Sequence, residues 1–260
     1  MRSRRRRRLV GAVLAAILSV LVTACSGVGG STPDPPPDAS GVAWRAGTGP
    51  AVLESYRTTP WNTDGADDPR AVTSPDAPAA TAVAFTVPGG GSRSELEPGF
   101  RSFTEGDRFF FGLAVHLADG FPVDTSDWQV IAQWKNSGDG SPPLSVKVGG
   151  GRFLLDGGAG IGKLWQRDIG PARTGERVDL VLGVRFSSDP GEAAIDVWQD
   201  GRHAVTGFHP RSGTLYPDEV SYMKVGLYRS DGIRDEGTVY YDDATIARTR
   251  EAAAVLAPRS

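Results

Sequence analysis

Tyr222, Lys224, Gly226 and Tyr228 occupy alternate positions of the run Ser221-Tyr222-Met223-Lys224-Val225-Gly226-Leu227-Tyr228-Arg229. Side chains of a β-strand alternate between its two faces. Read as a strand, the run puts Met223, Val225 and Leu227 on an apolar face that belongs in a core. The other face carries two phenols, an ammonium group and, at Gly226, a gap through which a ligand's bulk could approach. An ordinary solvated face would carry Thr, Ser, Glu and Lys, so this one suits a site for something anionic. Two other segments share its character. Arg93 and Glu95 lie on one face of Arg93-Ser94-Glu95-Leu96, and Gln133 and Lys135 on one face of Gln133-Trp134-Lys135, with Trp134 opposite. Singly, each also has a plainer reading. Arg93 and Glu95 would serve as a surface ion pair worth under about 1 kcal/mol, and Gln133 and Lys135 as a solvated edge.

The elements that must position these groups are strands. Glycine and proline are spread evenly between strand-like runs, and helical periodicity is scarce. The runs are Ala82 to Val87, Arg108 to Leu117, Val130 to Lys135, Leu144 to Val148, Phe153 to Leu155, Val178 to Phe186, Ala193 to Gln199, Arg202 to Val205, Tyr222 to Tyr228 and Thr238 to Ala247. Phe109, Phe111, Leu113, Val115 and Leu117 share one face, as do Leu180, Leu182, Val184 and Phe186. Asp200-Gly201 signals a two-residue hairpin. So many strands without helical crossovers predict an all-β sandwich of two antiparallel sheets. Its inner faces pack a core, and one outer, concave face lines a groove.

The ends of the chain bear on where the protein works. Arg2 and Arg4 to Arg8 precede the apolar stretch Leu9 to Val22, the pattern of an export signal and too short for a spanning helix. The stretch ends in Leu21-Val22-Thr23-Ala24-Cys25, which resembles a bacterial lipobox, with Cys25 as the acylated residue; the alternative is a plain secretory signal. Either leads out of the cytoplasm, to the cell membrane through a lipid anchor or to secretion. One cysteine cannot form an internal disulfide. The organisation expected is a signal peptide over 1–24, a Pro/Gly/Ser-rich linker over 25–42 with Pro35-Pro36-Pro37, a single β domain over 43–250 and an Ala-rich tail over 251–260 without evident partner. Without the six signal arginines, 22 basic residues face 31 acidic ones. A net charge of about −9 speaks against nucleic acid or an anionic membrane surface as partner. The expected membrane contact is the lipid anchor alone, and the expected state a monomer.

Taken together and in order, R-S-E-L, Q-x-K and Y-x-K-x-G-x-Y resemble the jelly-roll polysaccharide lyases. These include the alginate lyases and, more closely, the glucuronan lyase and heparin lyase I type. Val130-Ile131-Ala132-Gln133-Trp134-Lys135, the strand at Tyr222 and Val239-Tyr240-Tyr241-Asp242-Asp243 are similar to that last type, and the resemblance spans roughly Arg45 to Arg248. It implies a concanavalin A-like β-jelly roll with a concave substrate groove, and cleavage of an acidic, uronate-containing polysaccharide by β-elimination. That chemistry must neutralise the uronate carboxylate so that the C5 proton can leave, a task for preorganised donors. Arg93, Gln133 and Lys135 are the candidates, Arg93 with bidentate capacity. The resemblance assigns the proton transfer to Tyr228, with Lys224 meeting the substrate's charge. Lys224 and Arg229 are the cations that would favour the phenolate. Tyr222, Arg229 and Glu95 are further substrate-binding candidates. Many relatives carry histidine where this chain has Lys135, a better permanent cation and a poorer base. Either Tyr228 performs both proton transfers, or another histidine contributes. His116 is the best placed, while His203 and His209 suit the surface.

Catalysis of this kind needs no cofactor. Asp242 and Asp243 are candidate ligands of a structural Ca²⁺, with at most one ligating because neighbours on a strand face opposite ways; a hydrogen-bonded surface carboxylate is the equal alternative. Trp128, Trp165 and Trp198 fit sugar platforms or core packing. The competing function is a non-catalytic carbohydrate-binding lipoprotein on the same fold. A glucanase would need carboxylates spaced as E-x-D-x-x-E, and Glu192 to Trp198 lacks the second acid.

Overall fold

A computed structural model describes residues 40–57, 62–254 and 256. The signal segment, Cys25 and all but the end of the linker lie outside the described residues. In chain order the strands are β1 (Val42–Arg45), β2 (Asn62–Asp64), β3 (Arg70–Thr73), β4 (Thr81–Val87), β5 (Arg93–Leu96), β6 (Arg108–Leu117), β7 (Gln129–Asn136) and β8 (Leu144–Gly149). They continue as β9 (Arg152–Gly157), β10 (Trp165–Pro171), β11 (Arg177–Arg185), β12 (Ala194–Gln199), β13 (Arg202–Phe208), β14 (Ser221–Arg229) and β15 (Gly237–Ala247). One sheet has the order β13-β12-β11-β6-β15-β4-β3, with β1 also paired to β15; the other has the order β10-β9-β8-β7-β14-β5-β2. Neighbours in both are antiparallel, and the two sheets form a β-jelly roll sandwich.

The alternation of apolar residues fixes which faces meet. Phe109, Phe111, Leu113, Val115 and Leu117 of β6 and Leu180, Leu182 and Val184 of β11 are at most 1% exposed. Trp134, Val146, Phe153, Leu155, Val225 and Leu227 of the second sheet face them and are equally buried. Each such side chain contributes roughly 1.5–3 kcal/mol through the area it withdraws from water. The layers are joined edge-on where the Phe111 and Trp134 rings meet at 4.8 Å, and where the Tyr241 hydroxyl donates to the Ile131 carbonyl at 2.5 Å. The Asp200-Gly201 hairpin closes with both residues at positive φ, 50° and 77°, which matches the twist of its strands.

Strands β1, β2, β3 and β10 escape the sequence reading. The first three are only three or four residues long, and β2, β3 and β10 lie at sheet edges. Little apolar alternation is needed there. The segment expected to be a tail without evident partner, 251–260, overlaps a short helix, Arg250–Ala253, whose Thr249 side chain caps it. Ala252 and Ala253 are buried with Val181 and Ala247 on the outer face of the first sheet. Gly112 permits this: a Cβ there would stand 2.0 Å from the Ala253 carbonyl oxygen.

Candidate active site

The outer face of the second sheet forms a cleft of about 490 Å³. It crosses β5, β14, β7, β8 and β9, so that each strand offers the side chains of one face. Arg93, Gln133, Lys135, Lys224 and Tyr228 all line it. Backbone pairing brings them together: Tyr228 lies opposite Arg93, and Lys224 opposite Gln133. The three segments that share a character in sequence are thus consecutive neighbours in the sheet.

Tyr228 is held from two sides. The Arg93 guanidinium sits 3.9 Å from its ring centroid, a cation–π contact. Trp128 meets it edge-on at 4.7 Å and is itself 40% exposed at the cleft. Of the three tryptophans considered, only Trp128 faces the cleft. Trp165 is buried with its indole N–H on Ser212, and Trp198 stacks on His203 on the other sheet.

Below the floor lies Glu95, a 3% exposed carboxylate. The Gln133 amide donates to it, Arg93 Nε stands 3.6 Å away and Lys224 Nζ 3.9 Å away. Burial pushes its carboxyl above the ordinary range, while Lys224, Gln133 and Arg93 pull it down. Glu95 was a substrate-binding candidate. The structure makes it a positioning group: it lies too deep to meet a sugar and organises the three groups that can.

Lys135 replaces the expected histidine with a fixed cation. Its ammonium donates to the Gly138 carbonyl (2.6 Å), the Asn136 side-chain oxygen (2.8 Å) and the Asn136 carbonyl (3.2 Å). A lysine has three donors, so these acceptors hold the protonated form. Burial lowers its pKa from the usual lysine value, opposed chiefly by Glu219. Glu219 also fixes the loop by accepting from Asn136 and the Gly138 N–H.

Several sequence expectations are corrected. His116 lies on β6 in the opposite sheet, bonded to Asp76 at 2.9 Å and beside Tyr240. It faces away from the core on the far side of the sandwich and cannot join the cleft. Arg229 is fully buried and donates to the carbonyls of Val87, Pro88 and Asp235. Its strand parity is that of Leu227, so it turns from the cleft and does not act on the Tyr228 phenol. Tyr222 stays beside the cleft-lining lysines, opposite Lys135 and with its ring 5.7 Å from Lys224 Nζ. Gly226 is not an access gap. It sits where the pairing of β14 to β7 shifts register, at φ 143°, and a Cβ there would lie 2.3 Å from the Ser94 carbonyl oxygen and 2.8 Å from Glu95 Cα. The glycine lets β5 approach.

Asp242 and Asp243 face opposite ways. Asp243 accepts from Arg45 Nε at 2.9 and 3.2 Å. Asp242 is buried 3.9 Å from Arg177, its carboxyl raised by burial and by Asp76. Ca²⁺ takes about six to eight oxygens, and among the described residues no group of three or more His, Cys, Asp or Glu could hold a metal ion. Each of the two carboxylates instead faces an arginine, Asp243 facing Arg45 and Asp242 facing Arg177.

Sequence reading missed Ser145, Lys147 and Asp156, which also line the cleft. The alternation of Leu144-Ser145-Val146-Lys147-Val148 puts Ser145 and Lys147 on one face, a signal of the same kind as that of the other segments.

A profile of the family described as "Polysaccharide lyase" matches residues 54–245. No curated protein matches the chain. Among solved structures, a family 7 alginate lyase in complex with substrate has a TM-score of 0.54 at 15% identity, covering 77% of this chain and 86% of that one. An alginate lyase described as a member of polysaccharide lyase family 7 has a TM-score of 0.52 at 16% identity, covering 68% and 82%. The binding domain of Paraclostridial Mosquitocidal Protein 1 reaches 0.50 at 9% identity, covering 74% of this chain and 46% of that one. At such identities the likeness is one of fold.

Proposed function

The chain belongs to the polysaccharide lyase family, and from that premise we propose that it cleaves a uronate-containing polymer by β-elimination in the cleft of the second sheet. The convergence of Arg93, Gln133, Lys224 and Tyr228 around the buried Glu95 carries this reading. Arg93, Gln133 and Lys224 meet the uronate carboxylate and offset the negative charge that builds as C5 loses its proton. Tyr228, reacting in its phenolate form, takes that proton through its oxygen. The C4–O bond breaks, a C4–C5 double bond forms, and Tyr228 returns a proton to the departing oxygen. Lys135, held as an ammonium by three acceptors, supports the polymer's charge, so both proton transfers fall to Tyr228. Trp128 supplies an apolar wall for a sugar ring. Export and lipid anchoring through Cys25 would place this activity outside the cytoplasm.

The test is a panel of uronate polymers (alginate, glucuronan and glycosaminoglycans) assayed by the ultraviolet absorbance of unsaturated uronate ends. Tyr228→Phe should lower turnover by at least about a hundredfold, as loss of a general acid–base group does, with binding retained. Folded wild-type protein that yields no unsaturated ends on any polymer would refute the elimination. Binding with turnover indifferent to Tyr228→Phe would assign the proton transfer elsewhere.

A further inference from the structure

We propose that Lys147, seated on Asp156 and Ser145, forms a second carboxylate subsite in the cleft, distinct from the Arg93–Gln133–Lys224 centre. The proposal rests on the reading of the cleft as a uronate-polymer site. The Asp156 carboxylate is 5% exposed and accepts from both Ser145 and Lys147, one oxygen each. The Lys147 side chain is 25% exposed and lines the cleft above it. Cation uppermost and carboxylate beneath is also the arrangement at the centre, where Glu95 underlies Arg93 and Lys224. An ammonium has three donors, and Asp156 is the one partner found for Lys147 among the described residues. Its remaining donors are free to meet a ligand. Both Asp156 oxygens are engaged from within, so the anion orients Lys147 and is shielded from an approaching carboxylate.

Spacing gives the substrate class. Lys224 is on β14 and Lys147 on β8, with β7 between them. Lys147 lies level with Val130, and Val130 with Tyr228, so two inter-strand steps of about 4.8 Å put the Lys147 backbone roughly 10 Å from that of the proton-transferring Tyr228, about the length of two sugar units. The fitting ligand is a polymer with a carboxylate two units from the scissile uronate. A contiguous uronan meets this, and so does a strict alternation of uronate and neutral sugar. A charge-assisted N–H to carboxylate bond is about twice as strong as one to a hydroxyl, so Lys147 favours the acid over a neutral sugar at that place.

The experiment measures binding, so that it stands apart from turnover. Calorimetric titrations would use full-length Tyr228→Phe protein with and without Lys147→Met or Lys147→Arg. The probes are mannuronate, guluronate and glucuronate oligomers, as disaccharides and hexasaccharides, and a neutral cellohexaose. Lys147→Met should weaken binding of an acidic hexasaccharide about tenfold or more, leave the disaccharide within about twofold, and be largely rescued by Lys147→Arg. Equal loss on disaccharide and hexasaccharide, equal loss on cellohexaose, or no loss at all would overturn the subsite. So would failure of every acidic oligomer to bind. Absence of unsaturated ends with wild-type protein, beside a length-dependent effect of Lys147, would refute the lyase reading and leave the subsite standing.

Discussion

Gly226→Ala adds one methyl group and separates two accounts of the same glycine. If Gly226 opened a gap in the cleft, the methyl would project toward substrate. The structure directs it instead against β5, 2.3 Å from the Ser94 carbonyl oxygen, 2.8 Å from Glu95 Cα and 2.9 Å from Phe85 Cδ1. None of these is the tip of a flexible side chain, so strand and core must move. Overpacking of a tight interior costs about 1–3 kcal/mol. The backbone adds roughly 1–3 kcal/mol, because φ 143° is a conformation that side chains disfavour. A loss of about 2–6 kcal/mol follows, and at roughly 2–4 °C per kcal/mol for a domain of this size the middle of that range lowers the melting temperature by about 10 °C. The same retreat of β5 displaces Arg93, paired with Tyr228, and Glu95, paired with Gly226. Activity per folded molecule should therefore fall as well. The assay is thermal unfolding, with kcat/KM measured well below the transition. Gly106→Ala is the control, since Gly106 is at φ 83° with nothing within 4 Å of an added Cβ, and so reports backbone strain without a clash. A Gly226→Ala protein as stable as the parent, changed only in KM, would refute the packing argument.

Two further substitutions test the assignments around the cleft. Glu95→Gln removes the buried anion that Arg93 and Lys224 face, and kcat/KM should fall about tenfold or more, since groups bonded to a charge contribute about 1.5–3 kcal/mol. Its pH dependence has a definite sign. The folded carboxyl is raised by burial, so in the pH window between the unfolded and folded values the folded state binds more of this proton than the unfolded state does. Stability from this source is present below about pH 4, near the unfolded value, and is lost as pH rises through the raised folded value. The stability of wild type relative to Glu95→Gln should thus decline over that window in melting curves, and parallel curves would contradict the buried carboxyl. His116→Gln should leave kcat/KM within about twofold, because the ring belongs to the opposite sheet; a hundredfold loss would return it to the site.

The fold was legible because β6, β11 and β14 each carry an uninterrupted period-two pattern, and a strand with one apolar face must bury that face. The site was legible for the same reason. Arg93, Gln133, Lys135, Lys224 and Tyr228 sit at alternate positions on strands whose other faces are apolar, so their direction followed from parity. Lys147 and Ser145 obey the same rule and could have been read from Leu144 to Val148. Edge strands such as β2 and β3 carry too few residues to show a period.

What parity cannot supply is which sheet a strand joins and what lies across from it. His116 is the best placed of the three histidines in sequence, yet its face of β6 belongs to the far side of the sandwich. Arg229 is adjacent to Tyr228 in the chain and turned from it in space. Glu95 has the parity of Arg93, but its depth follows from Gln133 and Lys224 closing over it from two other strands. Gly226 in isolation reads as open space; only the approach of Ser94 and Glu95 shows that the space is filled. Sequence alone determined the residue types, the strand parity and the polar character of one face. The tertiary structure decided depth, neighbours and the carboxylates beneath each cation, because those depend on strand order, which brings together residues more than a hundred positions apart.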